Sequence, residues 1–262
     1  MHVHIHDTAE GSGPTVVLLH GLFGMGSNLG ALARSLRDRY SVHSLDLPNH
    51  GRSGWLPETD IPQMAQVITT HVRAITDKPV VLFGHSLGGK VAMECALQGD
   101  LEVGALVVAD IAPVAYPASH QQVFAGLQAV MAAGCSSRQQ ALEVLAHHVE
   151  EPGVLQFLIL SFARNHNNEW GWRFNLEALS SGYESLRAAP SAGVVYPGPV
   201  LFVKGSESDY IVPAHRKVIT AMFPKAKLKV MQHCGHWLHA EQPRLFNGIV
   251  GRFMDAALSD VS

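Results

Sequence analysis

The stretch from Lys78 to Ala96, Lys-Pro-Val-Val-Leu-Phe-Gly-His-Ser-Leu-Gly-Gly-Lys-Val-Ala-Met-Glu-Cys-Ala, constrains the fold more than any other. It reads as a buried strand over Val80–Phe83, a very tight turn around Ser86, and a helix from about Gly88 onward. Gly84-His-Ser-Leu-Gly88 matches the G-x-S-x-G pattern in the strand–turn–helix setting that such a nucleophile needs. A serine wedged between a strand and a helix sits at a strained backbone angle, so the neighbouring chain must approach without side chains. Gly84 and Gly88 supply that clearance, and Gly89 lets the helix pack close to the strand. The helix directs its first N–H groups at the turn, where negative charge develops in acyl transfer. Ser86 is therefore the candidate nucleophile.

The rest of the composition narrows the class. A chain of 262 residues can bury a sizeable core, and 47% apolar with 16% charged residues is globular. A net charge of −3 without a basic run gives no footprint for nucleic acid. No apolar stretch approaches a membrane span, and the start, Met1-His-Val-His-Ile-His6, lacks the layout of a signal peptide. The three scattered cysteines, Cys95, Cys135 and Cys234, do not suggest a disulfide framework. A cytoplasmic protein is the expectation. Sixteen histidines raise the question of a metal, yet neither the alternating His2, His4 and His6, nor His147-His148, nor His233 with His236 forms a closed zinc spacing set. No metal is expected, and of these histidines only His236 is singled out for chemistry.

Along the chain, Val3–His6 and Thr15–Leu19 read as strands separated by a Gly/Pro turn. The second feeds into His20-Gly21, a turn whose next backbone N–H can point into a cleft, with Leu22 as the first choice of donor and Phe23 as the alternative. A helix over 28–38, a strand over 40–45 and a polar loop from Asp46 to Ser53 follow. Asp46 and His50 are read as holding loop N–H groups. Ile61–Ile75 carries apolar residues at helical spacing and leads to the elbow strand. After the strand over 104–110 the alternation stops. Residues 119–133, 137–150 and 153–163 read as successive helices without a strand, then a polar loop over 164–172 and a helix over 175–188. The chain thus divides into a first core part (1–112), a helical cap inserted after the strand ending at Asp110 (113–192), and a second core part (193–262). Phe162, Trp170, Trp172 and Phe174 fit either an acyl pocket or the cap's own small core. Strands over 199–204 and 228–231, a helix over 214–223, and a C-terminal helix over 241–258 complete a mostly parallel, doubly wound α/β sheet. Its loops gather at the strands' carboxyl edge.

His20-Gly21, Gly84-His-Ser-Leu-Gly88 and Gly235-His236, in that order, resemble the α/β-hydrolase superfamily over nearly the whole chain. His20-Gly-Leu-Phe-Gly24, Asn49-His-Gly51, Asp110-Ile-Ala-Pro113, Trp172-Arg-Phe-Asn175 and Gly235-His-Trp237 resemble, within it, the YbfF-type small bacterial carboxylesterases. The resemblance implies an α/β-hydrolase fold and a cofactor-free serine carboxylesterase acting on a small-molecule acyl ester or thioester. Ser86 would be the nucleophile, His236 the base, and the backbone N–H groups of Leu22 and Leu87 the oxyanion hole. The acid usually follows the strand before the histidine strand, in a Gly-x-x-Asp turn. Here Gly205-Ser-Glu-Ser208 puts Ser208 there and displaces Asp209 by one residue, which swings a side chain to the opposite side. Asp110, at the end of the strand after the elbow strand, is the preferred acid, with Ser208 as its helper. Asp209 as acid, or Asp110 as a mere loop brace, remains the alternative. Phe23, Trp172 and Trp237 are candidates for substrate contacts, and the bulk of Trp170, Trp172 and Phe174 suggests short acyl chains, roughly C2 to C8. Carbon–carbon bond hydrolysis, cofactor-free haloperoxidase chemistry and a non-catalytic binding role stay open. Ser86 excludes the chemistries that need a carboxylate at the elbow.

Overall fold

The computed structural model describes residues 3–191 and 193–259. His2 and Ala192, named in the readings above, lie outside the described residues. The chain begins with strand β1 (Asp7–Glu10) and β2 (Thr15–Leu19), then α1 (Gly30–Leu36), β3 (Ser41–Leu45), α2 (Ile61–Ile75), β4 (Val80–His85), α3 (Leu87–Gln98) and β5 (Val103–Ala109). α2 has the bounds its apolar spacing predicts. Its start is fixed by Asp60, whose side chain accepts the Gln63 N–H at 2.7 Å, followed by Pro62 in the first turn. After β5 come α4 (Gln121–Ala132), α5 (Arg138–Leu145), α6 (Pro152–Leu160), β6 (Phe162–Arg164), β7 (Trp170–Trp172), α7 (Leu176–Ser181) and α8 (Tyr183–Arg187). The chain then returns as β8 (Val200–Gly205), α9 (Arg216–Met222), β9 (Ala226–Met231), α10 (Leu238–Glu241) and α11 (Pro243–Ser259).

The main sheet has the order β1-β3-β2-β4-β5-β8-β9, parallel except for β1, which runs antiparallel to β3. The direction of winding reverses at β2, so a crevice opens beyond the carboxyl ends of β2 and β4. The central strands are buried on both faces, which is why they read as unbroken apolar runs. Val17, Leu19, Val80 and Leu82 pack with Ile61, Met64, Ile68 and Val91 of α2 and α3. Val16, Leu18, Val81 and Phe83 pack with Leu32, Leu36, Phe246 and Val250 of α1 and α11.

Three sequence readings need correction. Val3–His6 is not a strand. The carbonyls of His4 and His6 accept N–H groups of Gly54 and Asp46, while strand pairing starts only at Asp7. Second, residues 162–172 form a β-hairpin within the supposedly all-helical segment, with Phe162 opposite Trp172 and Arg164 opposite Trp170. Asn165 folds its turn by accepting the N–H groups of Asn167 and Glu169. Third, the helix expected over 175–188 breaks at Gly182, where a Cβ would lie 2.5 Å from the Thr59 carbonyl.

The segment between β5 and β8 is pinned to α3, the helix behind Ser86. Lys90, 2% exposed, donates from Nζ to the carbonyls of Val114, at the start of that segment, and of Arg187 and Ala188, at its end. The same nitrogen lies 4.9 Å from the Tyr116 ring centre. One turn on, buried Glu94 accepts the Ser191 N–H at 2.7 Å and the Ser191 hydroxyl. Replacing Lys90 by methionine leaves buried carbonyls without donors, which costs at least about 2 kcal/mol. Lys90→Met is expected to lower the unfolding free energy obtained from urea titration by that amount, and an unchanged value would contradict the pinning role.

Candidate active site

Ser86 stands between β4 and α3 with φ 52° and ψ −119°, the strained angle that its setting requires. The glycines around it are obligatory. A Cβ on Gly84 would lie 2.1 Å from the Gly88 carbonyl oxygen, and one on Gly88 would lie 2.3 Å from that of Leu19. Ser86 N–H donates to the Ala109 carbonyl at 3.0 Å, while its Oγ makes no hydrogen bond to any described residue.

His236, in the loop after β9, shares with Ser86 a cleft of about 1720 Å³. Its Nδ1 is 2.8 Å from Asp110 Oδ2. Asp110 follows β5 with φ 51° and no solvent exposure. Its Oδ1 accepts the Gly205 N–H at 3.1 Å, and Oδ2 also accepts the Ser208 hydroxyl. With Nδ1–H given to the carboxylate, Nε2 of His236 is left as an acceptor. Ser208 is buried, whereas its neighbours Glu207 and Asp209 are exposed, the alternation expected of an extended turn. Tyr210 stacks on His236, with ring centres 4.1 Å apart.

The loop over 20–24 is held by two buried, uncharged histidines. Nε2 of His20 accepts the Leu47 N–H and Nδ1–H donates to the Gly21 carbonyl. Likewise Nε2 of His50 accepts the Phe23 N–H at 3.1 Å and Nδ1–H donates to the Pro48 carbonyl. Burial holds His20 down to about 4, and burial together with nearby His20 holds His50 down to about 3. The Phe23 N–H is thus engaged, while those of Leu22 and Leu87 have no partner among the described residues. Asp46 Oδ1 and Oδ2 accept the N–H groups of Gly26 and Arg52, the brace role read for it. From the far side, Ser161 Oγ donates to the Phe23 carbonyl at 3.0 Å, and Asn175 N–H donates to the Asn49 carbonyl at 2.9 Å.

Of the candidate substrate contacts, Phe23 and Trp237 line the cleft. Trp172 does not: its indole N–H donates to the Leu127 carbonyl and its ring stacks on Phe174, so it belongs to the core of the inserted segment. Trp170 and Phe174 are likewise absent from the cleft wall, which removes the ground for expecting only short acyl chains. The apolar lining comes instead from Leu22, Val123, Val154, Phe157 and Leu158. Phe157 faces Trp237 with ring centres 6.0 Å apart.

Several positioning residues escaped the sequence reading. Glu241 accepts the N–H groups on both sides of His236, from Gly235 at 2.7 Å and from Trp237 at 3.2 Å. His85 Nε2–H donates to the His236 carbonyl at 2.9 Å. His85 sits at a variable position of the G-x-S-x-G pattern and Glu241 in no motif, and each acts through backbone contacts made only in the fold. Among the described residues no helix is long and apolar enough to cross a membrane, and the cysteines are free and buried.

A family description, alpha/beta hydrolase, matches residues 16–249. The chain belongs to the alpha/beta hydrolase family. Esterase YbfF of Escherichia coli (strain K12) is 35% identical over 241 residues, covering 92% of each chain. The sn-1-specific diacylglycerol lipase ABHD11 of Mus musculus is 35% identical over 249 residues, 92% of this chain and 81% of that protein. A solved marine microorganism esterase superposes with a TM-score of 0.91 at 30% identity, over 96% of this chain and 99% of the other. E-2-(acetamidomethylene)succinate hydrolase, at 19% identity and a TM-score of 0.76, shares the fold. This alpha/beta hydrolase therefore has esterase relatives spanning core and inserted segment alike.

The buried histidines give a pH prediction with a definite sign. His20 and His50 titrate near the ordinary 6.5 when unfolded and near 4 and 3 when folded. Between pH 6.5 and 4 the unfolded chain binds protons that the folded chain does not. Their contribution is present above pH 6.5 and is lost as pH falls, on the order of a few kcal/mol per group. The melting temperature should drop steeply from pH 6.5 to 4, and less steeply in His50→Gln. Equal slopes would contradict the uncharged-brace reading.

Proposed function

We propose that this ester-acting hydrolase works through an acyl-enzyme, with Ser86 as nucleophile, His236 as base and Asp110 as acid. The observation that carries the reading is the hydrogen-bonded set Ser208–Asp110–His236, opening onto the cleft where Ser86 sits at its strained turn. Ser86 Oγ attacks the ester carbonyl carbon while His236 Nε2 takes the hydroxyl proton. The carbonyl oxygen becomes an oxyanion that accepts hydrogen bonds from the free N–H groups of Leu22 and Leu87. A donor of this kind supplies about 3–4 kcal/mol. His236 then passes its proton to the departing alkoxide, or to the thiolate of a thioester, as the acyl C–O or C–S bond breaks. Water, deprotonated by the same ring, releases the acid and restores Ser86.

Asp110 serves by holding Nδ1–H, which fixes the tautomer and stabilises the imidazolium. Ser208 supports it as a donor to Oδ2, and Gly205 N–H satisfies Oδ1. The acyl chain lies against Phe23, Val154 and Phe157, and Trp237 also lines the cleft. The names of the relatives, esterase and diacylglycerol lipase, agree with carboxylic esters as the substrate class.

A fluorophosphonate probe should label wild type on Ser86 alone. Ser86→Ala should lose labelling and at least about 10⁴-fold in turnover of an activated ester, with its melting temperature retained. Full activity in that variant, or labelling elsewhere, would overturn the mechanism.

A further inference from the structure

The wall of the cleft holds a polar arrangement that the acyl-transfer scheme does not use. His120, just before α4, lines the cleft together with Ser119, and both lie in the segment joining β5 to α4. Its Nδ1 is 2.6 Å from the Tyr183 hydroxyl and 3.2 Å from the Ser119 hydroxyl. Tyr183 oxygen already accepts the Ser119 N–H at 3.3 Å, so its own hydrogen is available to donate. For the Tyr183 hydroxyl, Nδ1 of His120 is the one acceptor within reach among the described residues, while the Ser119 hydroxyl also bonds that of Tyr210. The Tyr183 O–H directed at Nδ1 leaves it unprotonated and puts the ring proton on Nε2. Nε2 has no partner among the described residues. Tyr183 packs edge-on against the ring at 5.5 Å, so its orientation is set from the protein side and the free edge is left to the cleft.

We propose that His120 Nε2–H is a binding donor for an oxygen carried by the alcohol half of the substrate, so that oxygen-bearing alcohols such as glycerol are selected over plain alkyl alcohols. This rests on the ester-hydrolysing reading of the site. The alcohol side is assigned because Ser119, beside His120, bonds the Tyr210 hydroxyl, and Tyr210 stacks at 4.1 Å on His236, the ring that hands its proton to the departing oxygen. The apolar wall from Val154, Phe157 and Leu158 belongs to a different element, α6, and suits the acyl chain. Burial and His236 hold His120 down to about 4, so near neutral pH the ring is an uncharged donor suited to a hydroxyl or ether oxygen. An anionic alcohol half would meet the carboxylates of Glu150, Glu151 and Asp209 that also line the cleft and is disfavoured.

The test compares kcat/KM for glycerol monobutyrate and n-propyl butyrate, two esters with the same acyl group. The glyceryl-to-propyl ratio is measured in wild type, His120→Phe and His120→Gln. We expect the ratio to fall about three- to ten-fold in His120→Phe, the worth of one neutral hydrogen bond, and to recover in His120→Gln, which restores an N–H donor. A ratio unchanged in His120→Phe, whether both rates hold or fall together, overturns the proposal. Should that variant not fold, His120→Ala is judged by the same ratio. Propyl butyrate separates the two levels of the argument: if wild type turns over neither ester, the esterase reading falls and takes the His120 subsite with it.

Discussion

A carboxylate with no exposure to solvent is the constraint on which the carboxyl edge of this sheet depends. Burying the Asp110 charge costs several kcal/mol unless its oxygens are fully engaged. They are engaged by Gly205 N–H at the end of β8, Ser208 Oγ just after it, and His236 Nδ1 after β9. Because β5, β8 and β9 are adjacent and parallel, their ends arrive side by side, and the carboxylate ties the loops into one unit. The fit is close: a Cβ on Gly205 would lie 2.2 Å from the Gly235 carbonyl oxygen. Satisfying the buried charge and orienting the His236 ring are therefore one arrangement.

The Ser86 side is built on a different principle, backbone strain held by packing. Ser86 keeps a positive φ because β4 and α3 are both buried and the glycines on either side admit no side chain. The same helix carries Lys90 and Glu94, which hold the beginning and end of the inserted segment by its backbone. The segment in turn reaches the loop over 20–24 through Ser161. Ser86, the loop over 20–24 and the inserted segment are thus referenced to a single helix. Displacing the segment should therefore be felt at the loop over 20–24.

Much of this was legible in the sequence because the physics was local. The strands buried on two faces show as apolar runs, α2 carries its cap and its period, and the elbow announces itself through glycines that the geometry makes obligatory. The turn at Gly205-Ser-Glu-Ser208 was legible for the same reason, since one residue of offset decides whether a side chain is buried or exposed. What stayed hidden depends on contacts distant in the chain. Trp172 reads as a pocket aromatic until its N–H is found on Leu127. Glu241 looks like an ordinary helix residue until it accepts the N–H groups flanking His236. The short strands over 162–164 and 170–172 are held by ring stacking among Phe162, Trp170 and Trp172, with no run long enough to betray them.

The central claim is that the acid acts from the end of β5 and that the residue one past the usual acid position does not. Measuring kcat on one activated ester for Asp110→Asn and Asp209→Asn tests it most directly. The account predicts a loss of about 10⁴-fold for Asp110→Asn, as the wrong tautomer of the base is favoured, and a change of no more than a few-fold for Asp209→Asn. The reverse ranking would contradict it and return the acid to Asp209.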